Sequence, residues 1–143
     1  TGDIQLTLAQ RVPIDGAIVV TTPQDIALLD ARKGIEMFRR VEVPVLGIVE
    51  NMSTHICSSC GHEEAIFGTD GGEKIAREYG TKLLTQLPLS LSVREQIDAG
   101  KPTLVAEPEA DVSQMFRHLA RQVVESITVS GASAGPRITV VDD

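Results

Sequence analysis

Apolar residues along the chain alternate between short β-branched runs and longer stretches with helical spacing. Two runs, residues 16–22 and 45–49, are continuous and rich in valine and isoleucine, and they predict strands buried on both faces. A third run, residues 83–87, predicts another short strand. Between these runs the apolar positions repeat every three or four residues, which predicts helices. The resulting order of strands and helices is typical of an α/β fold with a parallel sheet.

The helix after the first strand is expected to start at Thr22, a good N-cap, with Pro23 in its first turn, and to run to about Val41. Much of its predicted inner stripe consists of Ile26, Leu29, Ile35 and Phe38, and the stripe is broadened by Leu28 and Met37. Thr69 is expected to cap a helix over residues 71–79. Asp111 is expected to cap the clearest helix of the chain. The apolar face of that last helix is formed by Val112, Met115, Phe116, Leu119, Val123 and Ile127.

The ends of the chain look different from its middle. Residues 1–10 predict a loop entering a short helix, and a start at Thr-Gly-Asp indicates a cut end. Residues 129–143 predict a flexible linker followed by a possible edge strand at 137–142. Three strands make a thin parallel sheet, so we expect residues 1–128 to be part of a doubly wound, mostly parallel fold whose N-terminal half is missing.

Composition narrows the possible functions. The formal charge is −7, from 13 basic and 20 acidic residues, and no basic stripe is visible, which disfavours nucleic-acid and membrane-surface partners. No apolar run approaches the roughly 20 residues needed to span a bilayer. The chain has only two cysteines, close together, which fits a reducing compartment better than a secreted disulfide framework. We therefore expect a cytoplasmic protein.

The sharpest chemical signal is the pair Cys57 and Cys60, followed by Gly61, which permits the backbone to fold tightly behind the second sulfur. Two thiolates in a C-x-x-C spacing can bind one metal centre from the same turn. Tetrahedral zinc and a [4Fe–4S] cluster each need about four protein ligands, and this motif supplies two. The other ligands must come from His55 or His62, or from a second copy of the chain across a two-fold axis.

Other interpretations of the pair remain open. A redox dithiol is one, although C-x-x-C then usually opens a helix near the start of a chain. A structural zinc that pins the loop is another, and two free thiols are a third. The spacing alone does not separate zinc from an iron–sulfur cluster.

Two further residues follow predicted strands. Asn51 comes directly after the second strand, where ligands bind in open parallel sheets, and its amide can both donate to and accept from the edge of a base. An Asx turn is the simpler interpretation. Pro88 ends the third strand and is most simply a strand terminator. The chain contains neither a G-x-x-x-x-G-K-[ST] phosphate loop nor a catalytic triad, so no catalytic residue is predicted.

The motifs, taken in order, resemble one family. They are Thr1–Leu8, Val20–Asp25, Gly47–Ser53, the run Cys57–Gly61 and Ile66–Gly68. This combination, over about residues 1–128, resembles the Mrp/ApbC iron–sulfur cluster carriers, which belong to the MinD/ParA-like P-loop ATPases.

The resemblance implies a homodimer that holds a [4Fe–4S] cluster between subunits and transfers it to apo iron–sulfur proteins, coupled to ATP with Mg²⁺. It implies that Cys57 and Cys60 ligate the cluster, that Asn51 contacts the base and that Pro88 lies near it. Thr1, Gly2 and Asp3 are similar to the end of the family's P-P-G-T-G-D switch.

The chain departs from the family in lacking the phosphate loop. ATP hydrolysis is therefore expected of a full-length protein and not of this fragment. The alternative function is a non-enzymatic module in which the two cysteines bind zinc and join two chains.

Overall fold

The computed structural model describes residues 2–131, which form three parallel strands, a small hairpin and six helices. The strands are β1 (Ala17–Thr21), β2 (Val45–Glu50), β3 (His55–Ile56), β4 (Glu63–Glu64) and β5 (Leu83–Gln86). The helices are α1 (Asp3–Arg11), α2 (Asp25–Arg40), α3 (Gly71–Glu78), α4 (Leu91–Asp98), α5 (Thr103–Ala106) and α6 (Asp111–Gly131). The predicted α/β architecture is confirmed, with boundaries that differ by a few residues. None of the described helices is long and apolar enough to cross a membrane.

The parallel sheet has the order β1-β2-β5, so β2 lies in the centre. Ile48 of β2 is opposite Val19 of β1, and the next residue, Val49, is opposite Val20. Because successive side chains in a strand point to opposite faces, Ile48 and Val49 enter two different cores. All three strands run in one direction, so their carboxyl ends meet at one edge of the sheet.

Each face of the sheet has its own apolar core. On one face, α2 and α3 pack against the strands, and this core contains Val19, Leu28, Ala31, Ile35, Ile48, Ile75 and Ala76. On the other face, α6 covers β2 and β5, and that core contains Val49, Leu84 and Leu87 packed against Phe116, Leu119 and Val123. Phe116, Leu119 and Val123 of the predicted apolar face thus pack against this core, whereas Met115 is exposed.

β1 differs from the prediction of a strand buried on both faces. It lies at the edge of the sheet, and α6 does not extend over it, so Val20 is 58% exposed. Ile18, on the same face, is also exposed, whereas Val19 and Thr21 are buried. Edge position and partial helix cover explain the difference within the described residues.

The start of α2 was predicted incorrectly, and so were Ile26 and Leu29 in its inner stripe, whereas Ile35 and Phe38 do pack in or against the core. The helix begins at Asp25, and the Thr22 hydroxyl donates to the Gln24 side chain at 2.8 Å instead of capping the helix. Ile26 is 72% exposed and Leu29 is 52% exposed. Ile26 and Ile35 are nine positions apart, about two and a half turns of helix, so they lie on opposite faces. The buried positions of α2 are Leu28, Ala31 and Ile35.

The remaining differences are at helix ends and in short elements. Asp70, with a φ of 61°, precedes α3 in place of the predicted Thr69 cap. The one-turn helix α5 and the hairpin β3–β4 were not predicted, because neither has enough residues to show a period. α6 continues to Gly131, so residues 129–131 of the predicted linker are helical. The possible edge strand at 137–142 lies outside the described residues.

Candidate functional site

The cysteines lie at the tip of the β3–β4 hairpin. In this antiparallel pair His55 is opposite Glu64, and Ile56 is opposite Glu63. The hairpin is joined to the main sheet beyond β5, because the Leu89 N–H donates to the Thr54 carbonyl at 2.7 Å. The two cysteines therefore project from the sheet edge on a short arm that is fixed at its base.

Backbone hydrogen bonds shape the turn that carries the two thiols. The Cys57 N–H donates to the His62 carbonyl at 2.9 Å, and the Gly61 N–H donates to the Cys57 carbonyl at 2.8 Å. Gly61 has a φ of 71°, a left-handed conformation that favours glycine, and this confirms the tight turn expected behind the second sulfur. The turn is thus closed from both ends around Cys57 to Cys60.

Both thiols are accessible and neither forms a disulfide. Cys57 is half-buried and Cys60 is exposed. The backbone N–H groups of Cys60 and then Ser59 donate hydrogen bonds towards the Cys57 sulfur and lower the pKa of that thiol. These hydrogen bonds stabilise the charged form of Cys57, the thiolate, which is the form that binds metals.

The ligand set of the hairpin is incomplete in the described part of one chain. No group of three or more His, Cys, Asp or Glu side chains with metal-binding geometry occurs in residues 2–131. His55 Nδ1 is buried at the base of the hairpin, 3.9 Å from a Glu64 carboxylate oxygen. His62 is exposed and contributes its backbone carbonyl to the turn. Neither histidine joins the cysteines in a single site.

Two large apolar side chains near the cysteines in sequence are exposed. Ile56 precedes Cys57 and is 48% exposed, and Ile66, just after the hairpin, is 53% exposed.

Asn51 lies where the sequence predicts, at the carboxyl end of the central strand. Its N–H donates to the Thr21 carbonyl at 2.7 Å, which extends the pairing with β1 by one residue. Its side-chain oxygen accepts a hydrogen bond from the N–H of the next residue, Met52, at 2.9 Å. The expected Asx turn would use the N–H of Ser53, two residues on, and that N–H instead donates to the Leu87 carbonyl. Asn51 also lines a cavity of about 550 Å³ that extends along β1 and α2.

Pro88 and Asp3 lie elsewhere. Pro88 lines a different cavity, of about 420 Å³, between the cysteine hairpin, the end of β5 and the N-terminus of α3. Asp3 is the exposed first residue of α1, and Gly2 precedes it as the N-cap. The structure does not bring Asn51, Pro88 and Asp3 around one cavity, and their role in binding a nucleotide stays a prediction. Thr1 lies outside the described residues.

The sequence analysis passed over Glu50, the last residue of β2. Its side chain is completely buried, and its carboxylate accepts three hydrogen bonds. The donors are the Ser53 hydroxyl at 2.7 Å, the Gly72 N–H at 2.6 Å and the Gln86 amide at 2.9 Å. One signal was available in the sequence: an acidic residue that directly continues a fully apolar strand must find partners when it is buried.

Comparison with known proteins agrees with this architecture. A family model described as "ParA: NUBPL iron-transfer P-loop NTPase" matches residues 1–124. The iron-sulfur cluster carrier protein of Haemophilus influenzae is 64% identical over 132 residues, which are 92% of this chain and 36% of that protein. The iron-sulfur cluster transfer protein NUBPL of Mus musculus is 48% identical over 130 residues, 91% of this chain and 41% of that protein.

Solved structures show the same fold. A nucleotide-binding protein from Archaeoglobus fulgidus, in complex with ADP, superposes with a TM-score of 0.64 at 34% identity, over 78% of this chain and 44% of that one. The cell division ATPase MinD of Pyrococcus furiosus superposes with a TM-score of 0.61 at 22% identity, over 78% of this chain and 43% of that one. The chain spans well under half the length of each of these relatives. With residues 1–124 matched by the family model and the identities given above, this chain belongs to the Mrp/ApbC/NUBPL family of ParA-type P-loop NTPases.

Proposed function

We propose that Cys57 and Cys60 bind one side of a [4Fe–4S] cluster, that a second copy of the chain binds the other side, and that the cluster is cargo for apo iron–sulfur proteins. The observation that carries this proposal is the open half-site at the hairpin tip. Two adjacent thiols are accessible there, and no third ligand side chain joins them in residues 2–131. A cubane cluster takes four thiolates, and a two-fold axis beside the tip turns two into four.

The surroundings of the thiols support a partner of the same kind. In this proposal the exposed Ile56 and Ile66 of both copies are covered when the cluster joins the two chains. Both side chains are already about half-buried, so covering the rest contributes only about 1 kcal/mol each. That is too little for a stable dimer by itself, so we expect dimerisation through this face to depend on the cluster.

The position of the cluster favours delivery over storage. A cluster held by ligands at the exposed tip of a hairpin is open to solvent and to an incoming thiol of a recipient protein, whereas a permanent cluster is usually shielded by its protein. The names of the relatives, iron-sulfur cluster carrier protein and iron-sulfur cluster transfer protein, support the same role.

Nucleotide binding belongs to the longer protein in this proposal. Asn51 lies just beyond the carboxyl end of β2, the end of a strand at which α/β sheets bind ligands, and it lines the cavity that extends along β1 and α2. The ADP complex of the Archaeoglobus fulgidus relative supports nucleotide binding by the longer protein. Most of the affinity for ATP with Mg²⁺ comes from a phosphate loop, which this sequence lacks. We expect ATP to bind this chain weakly or not at all by calorimetry. Micromolar binding of ATP by this chain would contradict the proposal that nucleotide binding depends on the longer protein.

Anaerobic reconstitution with iron and sulfide tests the cluster. We expect the unaltered chain to gain a visible sulfur-to-iron charge-transfer absorption and to become dimeric by sedimentation. Cys57→Ser should abolish both changes. Ser58→Ala, in the same turn but without a thiol, is the matched control and should retain them.

Metal analysis of protein purified without air separates the main alternative. Iron and sulfide, near four of each per dimer, agree with a [4Fe–4S] cluster. Zinc near one per dimer, with neither iron nor sulfide and no chromophore on reconstitution, would instead indicate a zinc-bridged dimerisation module.

A further inference from the structure

Glu50 forms a buried polar centre that links four segments of the chain. Its Oε1 accepts from Ser53, at the start of the cysteine loop, and from Gln86, at the end of β5. Its Oε2 accepts from the N–H of Gly72, in the first turn of α3. Gln86 also donates to the Ser53 hydroxyl at 3.3 Å, so the donors are connected to each other.

This centre fixes the direction in which the chain leaves the sheet. Directly after Glu50 the backbone turns sharply, with Met52 at a φ of 55°, a conformation that costs a non-glycine residue about 1 kcal/mol or more. The Ser53 N–H then donates to the Leu87 carbonyl at 2.9 Å, and the Leu87 N–H donates to the Glu50 carbonyl at 2.8 Å. Ser53 is thus held by both its side chain and its backbone, four residues before Cys57.

We infer that Glu50 is a positioning residue for the cysteine hairpin: by accepting from Ser53, Gly72 and Gln86 together, it sets where Cys57 and Cys60 stand relative to the sheet. This inference rests on the proposed function for its biological meaning. Its chemistry needs a carboxylate, because only an acceptor without protons satisfies three converging donors. A hydrophobic residue, the usual occupant of a strand this buried, leaves those donors unpaired.

The experiment measures metal binding and fold separately in the 143-residue chain. Co²⁺ is the probe, because its thiolate complexes have a charge-transfer absorption whose intensity and position depend on ligand geometry. Glu50→Gln keeps the shape of the side chain but presents an NH₂ group to at least one of the three donors. Glu125→Gln, the same substitution at an exposed site on α6, is the control.

We expect Glu50→Gln to keep the helical circular dichroism and to weaken Co²⁺ binding roughly tenfold, with an altered charge-transfer band, as for residues that orient metal ligands from behind. Glu125→Gln should match the unaltered chain. Equal affinity and an identical band in Glu50→Gln would overturn the inference.

If Glu50→Gln loses the native circular dichroism, Ser53→Ala decides, because it removes only one of the three donors. Weaker Co²⁺ binding by folded Ser53→Ala supports the inference, and unchanged binding overturns it. The proposed function fails separately, if the unaltered chain forms no iron–sulfur chromophore while it binds Co²⁺.

Discussion

The orientation of α2 leads to a prediction with a built-in control. Ile26 and Ile35 are the same residue type in the same helix, yet Ile35 has no exposed surface and Ile26 is 72% exposed. Alanine at either position removes the same three carbon atoms and changes the unfolded chain in the same way. A difference between the two variants therefore reports on the packing of each side chain in the folded protein.

The magnitude follows from burial. Removing three buried carbon groups costs about 2.4 kcal/mol at about 0.8 kcal/mol per group, and the cavity left among Leu28, Ile48 and Ile75 raises this towards the range of about 2–5 kcal/mol. Ile26→Ala should change the free energy of unfolding by no more than about 0.5 kcal/mol, since that side chain contacts mainly water and alanine is the better helix former.

Urea denaturation followed by circular dichroism measures both values. A domain of this size has a stability of about 5–15 kcal/mol, so Ile35→Ala should lose a large part of it, with a clear fall in the urea midpoint. Equal losses in the two variants, or a larger loss in Ile26→Ala, would refute the assigned rotation of α2 and the core built on it.

Three further predictions concern charge, proton binding and packing. The rate of Cys57 alkylation by iodoacetamide should rise with pH at a lower midpoint than that of an ordinary thiol, because backbone N–H groups lower the pKa of Cys57. Mass spectrometry of the labelled peptide measures this rate at each pH. A midpoint equal to that of an ordinary thiol would contradict the hydrogen bonds to the Cys57 sulfur. Arg32 forms a two-pronged ion pair with Glu78 and holds the pKa of that carboxyl below its usual range. The ion pair therefore stabilises the fold fully above the normal glutamate pKa, and this stabilisation is lost as the pH falls through the lowered pKa of Glu78. Arg32→Ala should therefore narrow the difference in melting temperature between neutral and acidic solution, and an unchanged difference would count against the pair. In Gly72→Ala the added Cβ would lie 3.0 Å from both the Glu50 Cβ and Leu83 Cδ1, and this crowding should lower the free energy of unfolding by about 1–3 kcal/mol. The better helix propensity of alanine offsets up to about 1 kcal/mol of that loss. Urea denaturation measures the net change, and a gain in stability would contradict the tight packing around Gly72.

The sequence predicts well what depends on local pattern. The three parallel strands, the long helices and the cysteine turn follow from continuous apolar runs, helical spacing and Gly61, and the structure has each of them. The apolar face of α6 was also predicted, because Phe116, Leu119 and Val123 recur at a spacing that admits only one face.

What the sequence did not predict depends on contacts between distant residues. The inner face of α2 was wrong at Ile26 and Leu29, because apolar residues occur all round the first half of the helix. Only packing against Ile48 and Ile75 buries Leu28 and leaves Ile26 outside the core. Glu50 was missed because its donors come from positions 53, 72 and 86, which no local pattern connects. The exposed face of β1 was missed because the position of a strand in the sheet order depends on its pairing with other strands and does not follow from its own sequence.

The central strand has a consequence for the cooperativity of unfolding. Ile48 belongs to the core under α2 and α3, and its neighbour Val49 belongs to the core under α6. Both cores therefore contain side chains of β2, and loss of packing in either core destabilises the strand that the other core packs against. We expect amide hydrogens of β2 to exchange with solvent only through global unfolding. Those of the cysteine hairpin, whose paired strands are two residues each, should exchange through a local unfolding that is smaller and more frequent.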